Sequence, residues 1–442
     1  MTPLAEAHTR DLPPEPASGR GRRHGTSSSE PFDRWFRYPA GFASDYASML
    51  LEYLAVPENG LIIDPFAGSG VIGSASAALG FRFFGIEAHP LIAELASLKL
   101  QTAPEDPEKL QEVGDRLVKE ASALLGRSHL GPELSREPEL VQRCFDSATL
   151  SELVAIRKLI KSGAANSWTA YAKWSLLGTL RDVASVQVGW PYQRPGKQRK
   201  APHADVFARF KQRLLWIQQD LSDRAASSTS LNASSLVVCG DSRDPQIWEK
   251  APTASAQGCV SSPPYLNNFD YADATRLELY FWGEVRTWGQ MVEAVRSEMI
   301  TATTQQSSLP AAQHALAILE GLGPAGNEIS KIADALKKER QARPRGKEYD
   351  RVVPEYFAAM AQVLENLAAA LEPGASAVWL IGDSAPYGVY VDTPALTGAL
   401  AEKYGLTVKK DLVLRHRGRR WATNASRHDV ALSERLLLLK KA

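Results

Sequence analysis

Hydrophobic and polar positions along this chain alternate between two periods. Short apolar runs, Leu61-Ile62-Ile63, Phe81 to Ile86, Val237-Val238-Cys239, Gly258-Cys259-Val260 and Ala377 to Ile381, each end at a small or acidic residue. They read as strands covered on both faces. Between them apolar residues recur at helical spacing: Val71, Ile72, Ala75, Leu79; Leu91, Leu95, Leu98; Leu110, Val113, Leu117; Val206, Phe207, Phe210, Leu214, Ile217. Helices are also predicted over Tyr271 to Trp282, over Tyr356 to Leu371 with a stop at Pro373-Gly374, and around Pro394 to Tyr404. Two final strands, Leu406 to Leu414 and Leu436 to Lys440, close the pattern as a hairpin. Alternation of this kind predicts an α/β fold with a mostly parallel sheet.

The same pattern divides the chain. Residues 1–30 are rich in Pro, Ser, Gly and Arg without apolar periodicity and predict a disordered N-terminal tail. The core is expected in three parts, 31–100, 233–283 and 351–442. Residues 101–232 separate the first two as a helical insertion and candidate target-recognition region. Residues 284–350, more polar and broken at Gly321 to Gly326, form a second insertion and candidate contact region. Most of the first insertion's rings, Trp168, Tyr171, Trp174, Trp190 and Tyr192, are expected in its core, while Gly189 to His203 has the make-up of a contact surface.

Two stretches carry chemistry. In the first, the strand Leu61-Ile62-Ile63 runs through Asp64-Pro65-Phe66-Ala67 into Gly68-Ser69-Gly70 and a helix. Glycines let the backbone approach a ligand and tolerate positive φ. The next strand ends at Glu87, a carboxylate suited to ribose hydroxyls. Gly68, Gly70 and Gly73 also satisfy a dinucleotide G-x-G-x-x-G pattern, with Glu87 about twenty residues on, so a nicotinamide enzyme is a rival at this point. That fingerprint asks for no Asp-Pro-Phe ahead of the glycines and gives no role to the second stretch.

The second stretch is Ser262-Pro263-Pro264-Tyr265, which follows the strand around Val260 directly. Each proline fixes its φ and extends the residue before it, which pre-sets the direction of the carbonyls. A serine hydroxyl and a carbonyl ahead of proline can both accept hydrogen bonds from an exocyclic amine, and the tyrosine offers a face to a flipped-out base. Alone, Pro-Pro-Tyr also fits an ordinary turn.

Together these segments resemble the S-adenosylmethionine-dependent DNA amino-methyltransferases, the N4-cytosine/N6-adenine DNA methylase family, in the form whose catalytic motif reads S-P-P-Y. The resemblance extends to Arg37-Tyr38-Pro39-Ala40-Gly41-Phe42, upstream of the glycine loop, and to Val237-Val238-Cys239-Gly240-Asp241-Ser242, the third-strand motif. It covers about residues 32 to 265; the C-terminal third matches by pattern. What it implies is a class I, Rossmann-like methyltransferase with a mostly parallel seven-stranded sheet, a closing antiparallel hairpin and helical insertions. It implies S-adenosyl-L-methionine as cofactor, held by Tyr38, Pro39, Phe42, Asp64, Pro65, Phe66, Gly68, Ser69, Gly70, Glu87, Asp241 and Ser242, with Asp241 facing the adenine. It makes Ser262, Pro263, Pro264 and Tyr265 catalytic, and serine at the first of these positions favours the N4 amine of cytosine over the N6 amine of adenine. An RNA base amino-methyltransferase and a non-catalytic DNA-binding subunit are the other readings; no RNA-binding module is recognisable, and neither Asp64 nor Ser262 has been lost.

Composition narrows this picture. The chain has 442 residues, 44% of them hydrophobic, enough for a large core, and a net charge of +1. Contact with double-stranded DNA must therefore be local, and three basic clusters offer it: Arg194 to Lys200, Lys337 to Arg351, and Lys409 to Arg427. Arg194, Lys197, Arg417, Arg419, Arg420 and Arg427 are the candidate phosphate contacts, the arginines at the hairpin being expected on the edge that carries the glycine loop. Three cysteines without metal spacing predict a reducing, cytoplasmic setting and no bound metal, and the lack of a Pro-Cys pair argues against carbon-5 methylation. A cognate restriction endonuclease acting separately is a candidate partner; nothing in the residues sets the oligomeric state.

Overall fold

The computed structural model describes residues 29–38, 43–127, 131–186, 188, 205–227, 235–252, 255–267, 270–302, 307–417 and 430–442. Seven strands form one sheet: β1 (Leu61–Asp64), β2 (Arg82–Glu87), β3 (Leu236–Cys239), β4 (Ala256–Ser261), β5 (Leu371–Gly382), β6 (Leu406–Arg417) and β7 (Leu432–Lys441). Their order is β3-β2-β1-β4-β5-β7-β6. All neighbours are parallel except β7, which runs antiparallel to both β5 and β6. The C-terminal ends of β1, β2, β4 and β6 therefore share one edge, where open α/β sheets hold their ligands. The order reverses between β1 and β4, and both chemical motifs leave the sheet there.

Strand residues alternate between two cores. Ile62, Val260, Val378, Leu436 and Leu438 pack with α1 (Ser44–Leu54) and α2 (Val71–Ala78) on one face. Leu61, Ile63, Cys259, Trp379, Leu437 and Leu439 face the Tyr349–Ala370 helix on the other. This is the period-two pleat of strands buried on both sides. Removing a ring from such a core, as in Phe357→Ala, costs about 3–5 kcal/mol.

The first insertion builds a separate helical core. Its helices Lys109–Arg127, Ser147–Lys161, Thr169–Val183 and Val206–Ala226 bury Leu117, Trp168, Tyr171, Trp174 and Phe210 against Leu91, Leu95 and Leu98 of α3 (Pro90–Lys99). Trp190 and Tyr192 lie outside the described residues, as does the loop around Arg194. Among the described residues the second insertion, whose Met291 and Val295 join the helical core, makes no core of its own. Its helices Leu309–Glu320 and Pro324–Gln341 place Ala315, Leu319, Ile329 and Leu336 in the same core as the sheet.

Two local expectations fail for identifiable reasons. Tyr271 to Trp282 is not one helix: it breaks at Thr275 into Tyr271–Ala274 and Arg276–Trp282. The Thr275 hydroxyl donates to Ala272 O and pairs with His89 Nε2 at 2.6 Å, so a tertiary partner overrides the helix. Pro373-Gly374 does not stop the preceding helix, which ends at Ala370; it forms a bulge near the start of β5, with Gly374 at φ 83°.

Candidate active site

β1 ends in Asp64, whose carboxylate accepts the Phe66 N–H at 3.0 Å and turns the chain at once. Gly68 and Gly70 then adopt positive φ, 52° and 79°, which glycine alone reaches without strain. Gly70 caps α2, and a side chain there would press on Ala96 at 3.0 Å. The loop is held from beneath by Lys99, a fully buried ammonium that donates to Ser69 O at 2.8 Å and stands 3.8 Å from Asp33. The Ser69 hydroxyl is buried with no partner among the described residues.

Glu87 closes the other wall. One carboxylate oxygen accepts Gly68 N–H and the other accepts His89 N–H, both at 2.8 Å. Burial nevertheless pushes its pKa up to about 7, overriding those bonds, with a further rise from the charge of Asp64. Asp64 is likewise pushed up to about 7 by burial, against the opposing effect of the Ser261 hydroxyl. Among the described residues neither carboxylate has an ion-pair partner. A cationic ligand would supply the missing charge. His89 is held neutral by burial, its pKa lowered to about 3.

Beside β1, β4 ends at Ser261 and delivers Ser262-Pro263-Pro264-Tyr265 to the same edge. The Ser261 hydroxyl donates to Asp64 Oδ1 at 2.6 Å, so the two motifs are directly bonded. Ser262 and Pro264 line a small cavity of about 60 Å³ together with Tyr38, Pro65, Phe66, Gly68, Glu87 and Glu298. Pro263 is buried and Tyr265 half-buried in the same turn, outside the cavity lining. The lining thus offers an apolar flank of Tyr38, Phe66, Met299 and Ile300 and two carboxylates, Glu87 and Glu298, that a positively charged group would suit.

Not every expected residue converges here. Ser242 lines the cavity, but the Asp241 carboxylate turns to Arg243, accepting Nε at 2.9 and 2.8 Å. Pro39 and Phe42 lie outside the described residues, as do Arg194, Lys197, Arg419, Arg420 and Arg427. Arg417 ends β6 on the expected edge. Arg415, two residues earlier, is not available to phosphates, because its guanidinium bonds Glu434 across the hairpin.

Other residues complete the site without any motif. Tyr271, Glu298, Met299 and Ile300 line the cavity from beyond the Ser262 to Tyr265 turn. Arg181, in the first insertion, donates to Arg37 O at 3.0 Å, Ala274 O at 2.9 Å and Glu278 Oε1 at 2.6 Å, and lies 4.6 Å over the Phe36 ring. It joins the segment carrying Tyr38 to the one carrying Tyr271. Both Arg181 and Lys99 continue the apolar stripe of their helices, seven residues after Trp174 and Ile92, so a charge on an inward face was the available signal.

The strand order and the paired loops at the β1/β4 edge define a class I methyltransferase that uses S-adenosylmethionine. Residues 17–98 match the family model of the DNA methylases of N6/N4 type. The chain is 21% identical over 429 residues to the type II methyltransferase M.BsoBI of Geobacillus stearothermophilus, covering 88% of this chain and 82% of that one. It is 22% identical over 416 residues to the type II methyltransferase M.AvaI of Nostoc sp., with the same coverage of both. Both comparisons support a DNA amino-methyltransferase of the N4/N6 family. Among solved structures, TrmN from Thermus thermophilus and the rRNA methyltransferase AviRa from Streptomyces viridochromogenes are each 10% identical with a TM-score of 0.30. These two overlaps span 90% of this chain and 49% and 85% of the respective structures. Among the described residues no helix is long and apolar enough to cross a membrane.

Proposed function

We propose that the chain methylates the exocyclic N4 amine of cytosine in double-stranded DNA, on a base flipped out of the helix, as the modifying partner of a type II restriction endonuclease. The observation that carries this reading is that Ser262 and Pro264 open into the same cavity as Gly68 and Glu87. An amine acceptor and a cofactor cradle are thereby brought face to face.

S-adenosylmethionine supplies an electrophilic methyl on a sulfonium. Asp64 and the Gly68-Ser69-Gly70 loop would hold its methionine part, Glu87 its ribose, and Ser242 would serve its adenine. Asp241, paired with Arg243, steadies the loop that presents Ser242. Ser262 Oγ and the Pro263 carbonyl accept the amine's N–H groups, which draws the nitrogen toward a tetrahedral shape and localises its lone pair. Tyr265 stacks on the extruded base. No strong base is required, since the nitrogen becomes acidic once methylated and its proton leaves late through Ser262 or water. Orientation supplies most of the acceleration. Mass spectrometry of nucleosides from host DNA and RNA, with and without the gene, tests the reading: N4-methylcytosine in DNA is expected, and N6-methyladenine or a modified RNA base in its place overturns it.

A further inference from the structure

Two hydrogen bonds grip the catalytic turn from outside its motif. On one side the Ser261 hydroxyl reaches Asp64 Oδ1 at 2.6 Å, both residues being buried. On the other the Tyr356 hydroxyl donates to the Pro264 carbonyl at 2.8 Å. Tyr356 comes from the Tyr349–Ala370 helix, fully buried and edge-on to Phe357 at 5.2 Å. Burial raises its pKa, so the phenol remains a donor at working pH. A turn made of two prolines lacks the N–H groups by which a backbone is normally anchored. Its carbonyls and its flanking residues are the handles left, and the protein uses one of each. A phenol is well suited to this, because its ring is fixed by packing and its oxygen moves with it.

We propose that Ser261 and Tyr356 are positioning residues that clamp the turn from its two ends and so aim Ser262 Oγ and the Pro263 carbonyl at the target amine. Ser261 also ties that aim to the carboxylate of the cofactor loop. The clamp rests on the catalytic reading of Ser262-Pro263-Pro264-Tyr265 given above. It concerns residues outside that motif, one of them on a helix distant in sequence.

The test uses the full chain in single-turnover methyl transfer to DNA from a host lacking the gene, alongside calorimetric titration with S-adenosylmethionine. Tyr356→Phe deletes one oxygen and keeps the ring. Its transfer rate should fall about tenfold to a hundredfold, as small misplacements of reacting groups do, with cofactor affinity within about twofold of wild type. Ser261→Ala should lose rate and some cofactor affinity together, since it frees Asp64. The double variant should lose less than the product of the two, because both act on one turn. A Tyr356→Phe rate within about twofold of wild type overturns the clamp, as does an equal loss of rate and cofactor affinity in that variant or a multiplicative double. These outcomes are distinct from a wild-type chain that methylates no DNA, which removes the catalytic reading itself.

Discussion

The helical wall of the molecule and its strand-end wall handle charge in opposite ways. On the helical side, buried charges are paired within the protein: Arg181 with Glu278, Arg34 with Asp220, Arg213 with Asp182, Lys173 with Glu94 and Glu284. At the strand ends, Asp64 and Glu87 are buried with backbone and hydroxyl donors but no cation among the described residues. Folding completes the first wall. The second is left for a positively charged ligand to complete, at the expense of two carboxyls that burial holds near neutrality. Stability should therefore be concentrated in one wall and cofactor binding in the other.

The sharpest way to break this comparison is Arg181→Met. It keeps bulk but strands Glu278, whose side chain is fully buried, without its partner. Breaking a buried pair from one side costs about 3–5 kcal/mol, so the melting temperature should drop steeply. A variant that melts like wild type would show that the helical wall does not depend on its internal pairs. Asp64→Ala should have the opposite profile. Cofactor affinity should fall by on the order of 2–4 kcal/mol, the loss expected for one member of a desolvated charge contact, while stability changes by less. Equal losses of stability and affinity in both variants would erase the division between the walls.

Sequence made one wall legible and left the other nearly silent. The strand-end wall is built from residues whose effect is local: Gly68 and Gly70 at positive φ, Asp64 capping its own turn, the prolines after Ser262. Local constraints leave a pattern in the order of residues, and the strands, the glycine loop and the proline turn could all be read from it. Arg181 and Lys99 work through partners far along the chain, and a lone charge in an apolar stripe does not name its partner. The break at Thr275 depends on His89, 186 residues away. Asp241 shows the converse: its motif position was legible, but its carboxylate answers to Arg243 two residues on.

Tyr265→Ala sharpens the comparison at smaller scale. The ring is half-buried and stands outside the lining of the cavity beside Gly68 and Glu87. It should therefore lower DNA binding and transfer by the worth of one stacked base, about 1–3 kcal/mol, without weakening cofactor binding. Calorimetric titration with S-adenosylmethionine checks the second half; a loss matching that of Asp64→Ala would place Tyr265 in the wrong wall.

The mildest test is pH, and its sign follows from the unpaired carboxyls. Asp64 and Glu87 are pushed up to about 7 in the folded protein from ordinary values of 3.8 and 4.5. Between those values the folded chain holds protons that the unfolded chain has released, so their contribution to stability is present at low pH and is lost as pH rises through 7. His89 acts the other way: lowered to about 3 from 6.5, it leaves the unfolded chain with the extra proton, and its contribution grows as pH rises to 6.5. Above pH 6.5 the carboxyls act without that opposition, and the cofactor-free protein should lose stability until they are ionised. Cofactor affinity should rise over the same interval, by at most about tenfold per pH unit for each proton released, because a cationic ligand favours the ionised carboxylates. Asp64→Asn should remove its share of both trends. Thermal melts of the cofactor-free protein and cofactor titrations at pH 6, 7 and 8 measure them; affinity that is flat across this range would mean that the strand-end carboxylates are already charged, and that a ligand is not what completes them.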